Sequence, residues 1–204
     1  MQKNIMKQFI SLIFILALTN TGRAQDFSKA MTTAKSAYGA GKLEEAHFAL
    51  QQAMQEVDLI IGKEVLKLLP EKMDTMGIDA KDDNVSSNIG FVGATIHRSY
   101  GKATRKADLS IISNSPMVAM INTILNTPMM GGMMNDGKSK TVKVHGYKAR
   151  LEKQDGSTEG KNNYELQIPL VSALITFKVD DCTDSKMLEL ANTIPLPQIA
   201  KLIQ

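Results

Sequence analysis

Tryptophan is absent from this 204-residue chain, cysteine occurs once and histidine three times. Each scarcity closes a route. The lone cysteine, Cys182, cannot form an internal disulfide, so the fold has to rest on its own core and the thiol is either free or shared with another chain. The histidines His47, His97 and His145 are far apart, and none has a second ligand three or four residues away, so the pattern of a zinc centre is missing. With aromatics at 5% of the chain, stacking platforms for single-stranded nucleic acid are not provided. No nucleophile elbow, phosphate-binding loop, dinucleotide fingerprint or HExxH helix occurs. The GSTEG stretch from Gly156 to Gly160 holds its serine one position early for GxSxG and reads as a hairpin turn.

Long apolar runs are scarce too. The run from Phe9 to Leu18 is about ten residues, against the roughly 20 that a spanning helix needs and the 7–15 of a signal-peptide core. Lys3 and Lys7 precede it, and Gly22 and Ala24 occupy the small-residue positions that signal peptidase recognises. The pattern predicts a signal peptide over 1–24, cleavage after Ala24, and a mature chain from Gln25 that is exported, periplasmic or secreted, and soluble with no transmembrane segment. No cysteine stands at the cleavage point to carry a lipid. The leader also distorts the charge. The whole chain is +3, but Lys3, Lys7 and Arg23 leave with the leader and no acid goes with them, so 21 basic and 21 acidic side chains remain. Without a net positive field, a nucleic-acid partner is not expected.

What is present begins with helical periodicity. Phe27, Ala30, Met31, Ala34, Ala37 and Tyr38 form one stripe. Leu43, Ala46, Leu50, Ala53, Val57 and Ile60 form a second that continues to Leu69, with Gly39 to Gly41 between them. A helical hairpin is predicted over 25–70. Residues 71–88 carry acids, lysines and serines without periodicity and read as a linker or loop. From Ile89 the period becomes two. Val92, Ala94, Ile96 and Tyr100 alternate with polar residues, and later runs around Val142, Leu151, Leu166 and Phe177 repeat the pattern between turn signals. Ser115-Pro116 opens a helix, a second runs from about Asp184 to Asn192, and a short piece from Pro197 to Ile203 adds a last turn or two. The predicted fold is α+β: an N-terminal helical hairpin, then an antiparallel β-sheet domain over 89–204 with helices covering one face.

Several local patterns carry chemistry. The segment TPMMGGMMNDG gathers Met129, Met130, Met133 and Met134 around two glycines. Thioethers suit Cu(I), and Met117, Met120, His97 or His145 could assist, but methionine is also a flexible apolar gap-filler that suits an apolar ligand or protein partner. Arg98, Lys102, Arg105 and Lys106 cluster across the first strand turn and read as a solvated hairpin end. The pairs Asp82-Asp83 and Asp180-Asp181 read as solvated or capping residues at element ends rather than as acid–base pairs. Asn84-Val85-Ser86 fits the N-glycosylation triplet. Asp74-Thr75-Met76 resembles the triplet used for O-glycosylation of exported proteins in Bacteroidetes-like bacteria, with Thr75 as acceptor.

Ala34, Gly41, Ala46, Leu50 and Ala53 fall where a tetratricopeptide unit wants small or apolar residues, so the hairpin resembles a single such unit. It departs at Ala30, where Trp is usual, and at Asp58, where Pro is usual. The GKLEEAHFALQQAM, HRSYGKATRKADLSIISNSPMVAMINTILNTPMM and GYKARLE segments resemble exported bacterial proteins of a Bacteroidetes-like family to which no activity is attached. That resemblance implies a strand pair, a helix and a further sheet, and no known activity; separately, no cofactor is expected. The functional expectation is an exported, non-enzymatic binding or interaction protein of the bacterial envelope. Its contact surface is expected on the apolar side of the sheet and the Met117 to Met134 region. The alternatives are soft-metal binding through Met129, Met130, Met133 and Met134, or an enzyme with an unrecognised site.

Overall fold

The structure is a computed structural model that describes residues 21–88, 91–102, 105–127, 138–156 and 161–203. The chain divides into two compact units, one up to Val57 and one from Asp58.

The first unit holds α1 (Thr21–Gly39) and the greater part of α2 (Leu43–Leu68). Gly41 ends α1 by adopting φ +73°, which costs little without a Cβ. The Lys42 N–H then donates to the Ala37 carbonyl (2.9 Å) and the Gly41 N–H to that of Tyr38 (3.0 Å). These are the paired bonds of a glycine C-cap, and they turn the chain back. Among the described residues of this unit, the buried side chains are six alanines: Ala30, Ala34 and Ala37 on α1, and Ala46, Ala49 and Ala53 on α2. Alanine at these spacings lets two helices approach at the short end of the usual 8–10 Å range.

The second unit is a seven-stranded antiparallel sheet with helices. Residues 71–88, expected as a linker or loop, instead carry β1 (Lys72–Met73), β2 (Met76–Gly77) and β3 (Asn84–Asn88). Strands of two and five residues are too short to display a period. Even so, Met73 and Met76 are buried in the core, and β3 pairs with β4 from Asn84↔His97 onward. The remaining elements are β4 (Phe91–Lys102), β5 (Arg105–Ser113), α3 (Met117–Asn126), β6 (Ser139–Val144), β7 (Tyr147–Asp155), β8 (Asn162–Pro169), β9 (Ala173–Cys182), α4 (Asp184–Ala191) and α5 (Leu196–Ile203). The strand order is β3-β4-β5-β9-β8-β7-β6. Two meanders, β3 to β5 and β6 to β9, are joined where β5 pairs with β9. Lys140 and Lys143 are exposed on the edge strand β6, a common guard against edge-to-edge pairing.

The helices do not share one face. Met187, Leu190, Ile194, Leu196 and Ile199 of the C-terminal region, with Val65 and Leu69 from the end of α2, form one core with Ile96, Leu109, Ile175 and Phe177 of the sheet. α3 lies on the opposite face, where Ile121 and Leu125 cluster with Leu174. Its position follows from topology, because the chain must travel from the interior strand β5 to the far edge β6. Contacts of α3 with β9, β8 and β7 mark that path. At the start of β9, Ala173, Leu174 and Ile175 are therefore all buried, and the alternation of a half-covered strand is lost there.

Candidate functional site

On the face opposite the main core, β4 and β5 bring His97, Ser99, Lys106 and Asp108 together. The Ser99 hydroxyl donates to Asp108 Oδ1 (2.6 Å), His97 Nε2 lies 3.2 Å from Ser99 Oγ and 3.8 Å from Asp108 Oδ1, and Lys106 Nζ is 3.1 Å from the same carboxylate oxygen. The composition is that of a serine–histidine–aspartate triad, but the geometry is not. Serine and aspartate meet the same ring nitrogen, the hydroxyl proton is committed to Asp108, and Ser99 is wholly buried. A nucleophile needs an accessible hydroxyl that gives its proton to an imidazole held by the acid through the other nitrogen. This is a cross-strand polar network. Next to it, burial and then the charges of Asp108 and Asp181 push the Asp180 carboxyl above its usual value.

Of the expected basic cluster, Lys102, Arg105 and Lys106 stay at the β4–β5 hairpin end, where Lys102 pairs with Arg105, and Arg98 departs from it. Arg98 points to the core face, where it is buried and donates through Nε and Nη2 to both oxygens of Asp83 (2.9 and 2.6 Å) and through Nη1 to the Leu69 carbonyl (3.1 Å). Beside it the Tyr100 hydroxyl donates to the Pro70 carbonyl (2.9 Å), and burial pushes the phenol up to about 12. Two residues of β4 thus satisfy carbonyls left open where α2 ends. Asp83, expected as a solvated or capping residue, is the bidentate partner of Arg98. Arg105 reaches Asp74 Oδ2 (2.8 Å) and Thr75 Oγ1 (3.1 Å), and Lys186 adds a second cation at Asp74 (3.3 Å). Burial opposes the charge of Asp74, but bonds from Lys186 and Arg105 prevail and hold its carboxyl below the ordinary value. Thr75 is exposed in the β1–β2 turn, and Asn84 lies on β3 rather than in a loop.

Met129, Met130, Met133 and Met134 lie outside the described residues. Met117 and Met120 are exposed on α3, whose buried positions are Ile121 and Leu125. His145 adopts φ +48° in the β6–β7 turn and its Nε2 is 2.9 Å from the Asn192 carbonyl. His97 is on β4, with β5, β9 and β8 between it and β7. At about 4.8 Å per strand the two histidines are about 20 Å apart and do not share a site. Among the described residues, no group of three or more His, Cys, Asp or Glu side chains could hold a metal ion. Cys182 is buried, which pushes its thiol up to about 11. The apolar side of the sheet, expected as a contact surface, is occupied by the protein's own helices.

Among the described residues, most of the exposed large apolar side chains are on the two hairpin helices. Phe27, Met31 and Tyr38 of α1 and Leu43, Leu50, Met54 and Val57 of α2 keep between 36% and 72% of their area accessible. On α1 the three fall within about 40° of one another at 100° per residue. On α2, Leu43, Leu50 and Val57 recur every seven residues with Met54 beside them. Each row sits about 70° from its helix's alanine row, in the same rotational sense. In an antiparallel pair a local two-fold axis normal to the hairpin plane exchanges the helices and keeps each face, so both rows lie on one face. The reverse side carries Asp26, Lys29, Thr33, Gln52 and Glu56, with half-exposed Phe48 on the same side of α2, while Lys35 and His47 are exposed beside the apolar rows.

The comparisons add no relative: no family model matches the chain, and no curated protein or solved structure does.

Proposed function

We propose that this chain is an exported, non-enzymatic binding and interaction protein of the bacterial envelope, with the sheet unit as scaffold and the helical hairpin as the contact element. The observation that carries the reading is the row of exposed Phe, Met, Tyr, Leu and Val side chains along one side of the hairpin. Contiguous exposed apolar surface of this kind marks interaction sites. Aromatic and methionine side chains are enriched in the cores of protein interfaces. Export is supported by the basic, apolar and small-residue sequence of the first 24 positions. No helix among the described residues is long and apolar enough to cross a membrane.

The test is photo-crosslinking in the envelope of the producing cell. With benzoylphenylalanine in place of Leu50 on the apolar face, protein adducts are expected; in place of Gln52 on the reverse side, they are not. Equal yields from the two positions, or none from either, would overturn the assignment of the contact element.

A further inference from the structure

Resting on the reading of this chain as exported, we infer that Thr75 carries an O-linked glycan, transferred to its hydroxyl in the envelope from a lipid-pyrophosphate-linked donor.

The sequence narrows the acceptor. Asp directly precedes serine or threonine at two places, Asp74-Thr75 and Asp184-Ser185. Only the first is followed by an apolar residue, Met76. Ser185 is followed by Lys186 and is wound into the first turn of α4. The other glycosylation triplet is set apart by the sheet, since Asn84 belongs to the β3–β4 ladder with His97 as its partner. Thr75 stands instead at a hairpin tip. Met73 pairs with Met76, which leaves Asp74 and Thr75 as the two residues of the β1–β2 turn, with Asp74 at φ +55°. Met73 and Met76 are buried in the core, so the tip is anchored from below while Thr75 stays exposed. Exposed tips of this kind are where modifying enzymes reach a folded chain most readily.

The surrounding side chains suit the attachment. Arg105 Nη1 donates to Thr75 Oγ1 (3.1 Å). The hydroxyl is the acceptor in that bond, and an ether oxygen keeps its lone pairs, so the contact survives when the proton is replaced by a sugar. Arg105 and Lys186 hold the Asp74 carboxylate at 2.8 and 3.3 Å, yet 30% of that side chain stays accessible to an enzyme that reads the acid. Beside the hydroxyl lies an open groove of about 370 Å³, lined by Thr75, Met76, Ile78, Lys102 and Arg105. It leaves room for the first sugar ring, with two cationic side chains able to donate to the ring's hydroxyls. In the transfer, Thr75 Oγ1 attacks the anomeric carbon of the donor glycan. The new C–O bond forms as the bond from that carbon to the phosphate oxygen breaks, the lipid pyrophosphate departs with the electron pair, and the hydroxyl proton passes to a base of the transferase.

The experiment is intact-mass spectrometry of the protein from the producing cell, with electron-transfer fragmentation of its peptides to place any sugar. The wild-type chain is expected at the mass of residues 25–204 plus one carbohydrate increment, located on Thr75. Thr75→Ser is expected to keep the increment and Thr75→Ala to lose it completely. Asp74→Asn, which keeps the shape and removes the charge, is expected to lower occupancy about tenfold, the loss of one charged contact to the transferase. Placement of the sugar in the wild-type chain depends on no variant's folding. A wild-type chain at the mass of its bare sequence, an increment located on another residue, or one that persists in Thr75→Ala would overturn the inference. Its failure is separable from that of the export reading. A chain that begins at Gln25 and bears no sugar removes the glycan and leaves export standing. An unmodified chain found only in the cytoplasm, with its first 24 residues intact, removes both.

Discussion

Arg98 shows how one side chain can hold two elements in register. Its guanidinium spans the Asp83 carboxylate ahead of β3 and the Leu69 carbonyl at the end of α2, so Arg98→Ala leaves a half-buried carboxylate and a helix-end carbonyl without that donor. The expected loss is about 3 kcal/mol in urea unfolding, with Arg98→Lys falling between because an ammonium cannot reproduce the two-pronged contact. Asp58 gives a pH signature. Burial raises its pKa, with the bond from the Gly93 N–H acting in the opposite direction. Its favourable contribution is therefore present below the ordinary aspartate pKa and lost as pH rises through the folded value. Asp58→Asn keeps an acceptor for Gly93 and removes that dependence. The variant is expected to gain more in thermal midpoint relative to wild type at pH 7 than at pH 4. The Cys182 thiol, pushed up to about 11 and buried, is expected to resist Ellman's reagent at pH 8 in the native chain and to react fully in denaturant. Arg98 was illegible in the sequence for a physical reason. A charge on the core face breaks the strand's alternation, and its partner sits 15 positions away in a stretch with no period of its own.

At the scale of the element, the helices and the longer strands were legible because each displays one period over enough residues to be seen. The hairpin's two rows on each helix were read as a single stripe, since periodicity records which residues are apolar and not which are small. Sorted by size, the alanines form the seam and the larger residues the open face. The placement of α3 and α4 on opposite faces was beyond local pattern, because it follows from which strand lies next to which. Gly62 on α2 is another feature that only packing explains. A Cβ there would meet Val85 Cγ1 at 2.6 Å, with Ala94 Cβ and Ile96 Cγ1 each at 3.3 Å. Alanine in mid-helix ordinarily gains up to about 1 kcal/mol over glycine. Here overpacking against β3 and β4 is expected to outweigh it, so Gly62→Ala should lower the urea midpoint by the equivalent of about 1 kcal/mol.

For the whole molecule, the proposed leader and the charge balance make one linked expectation. The full chain has a pI near 8.9, but cleavage after Ala24 would remove three basic residues and no acid. Protein recovered from the envelope fraction is expected to begin at Gln25 and to focus near neutrality, read by N-terminal sequencing and isoelectric focusing. Since α1 extends to Gly39, that cut leaves the whole alanine seam and Phe27 in place. The sheet's strand order bears on how such a chain completes itself. β9 is the last strand in sequence, yet it lies near the middle of the sheet, paired with β5 on one side and β8 on the other. Until residues 173–182 are available, β3 to β5 and β6 to β8 are two three-stranded ribbons with no border in common. A chain threaded across a membrane from its N-terminus would carry those ribbons side by side with exposed edges, and seal them only when its final strand arrives as a keystone.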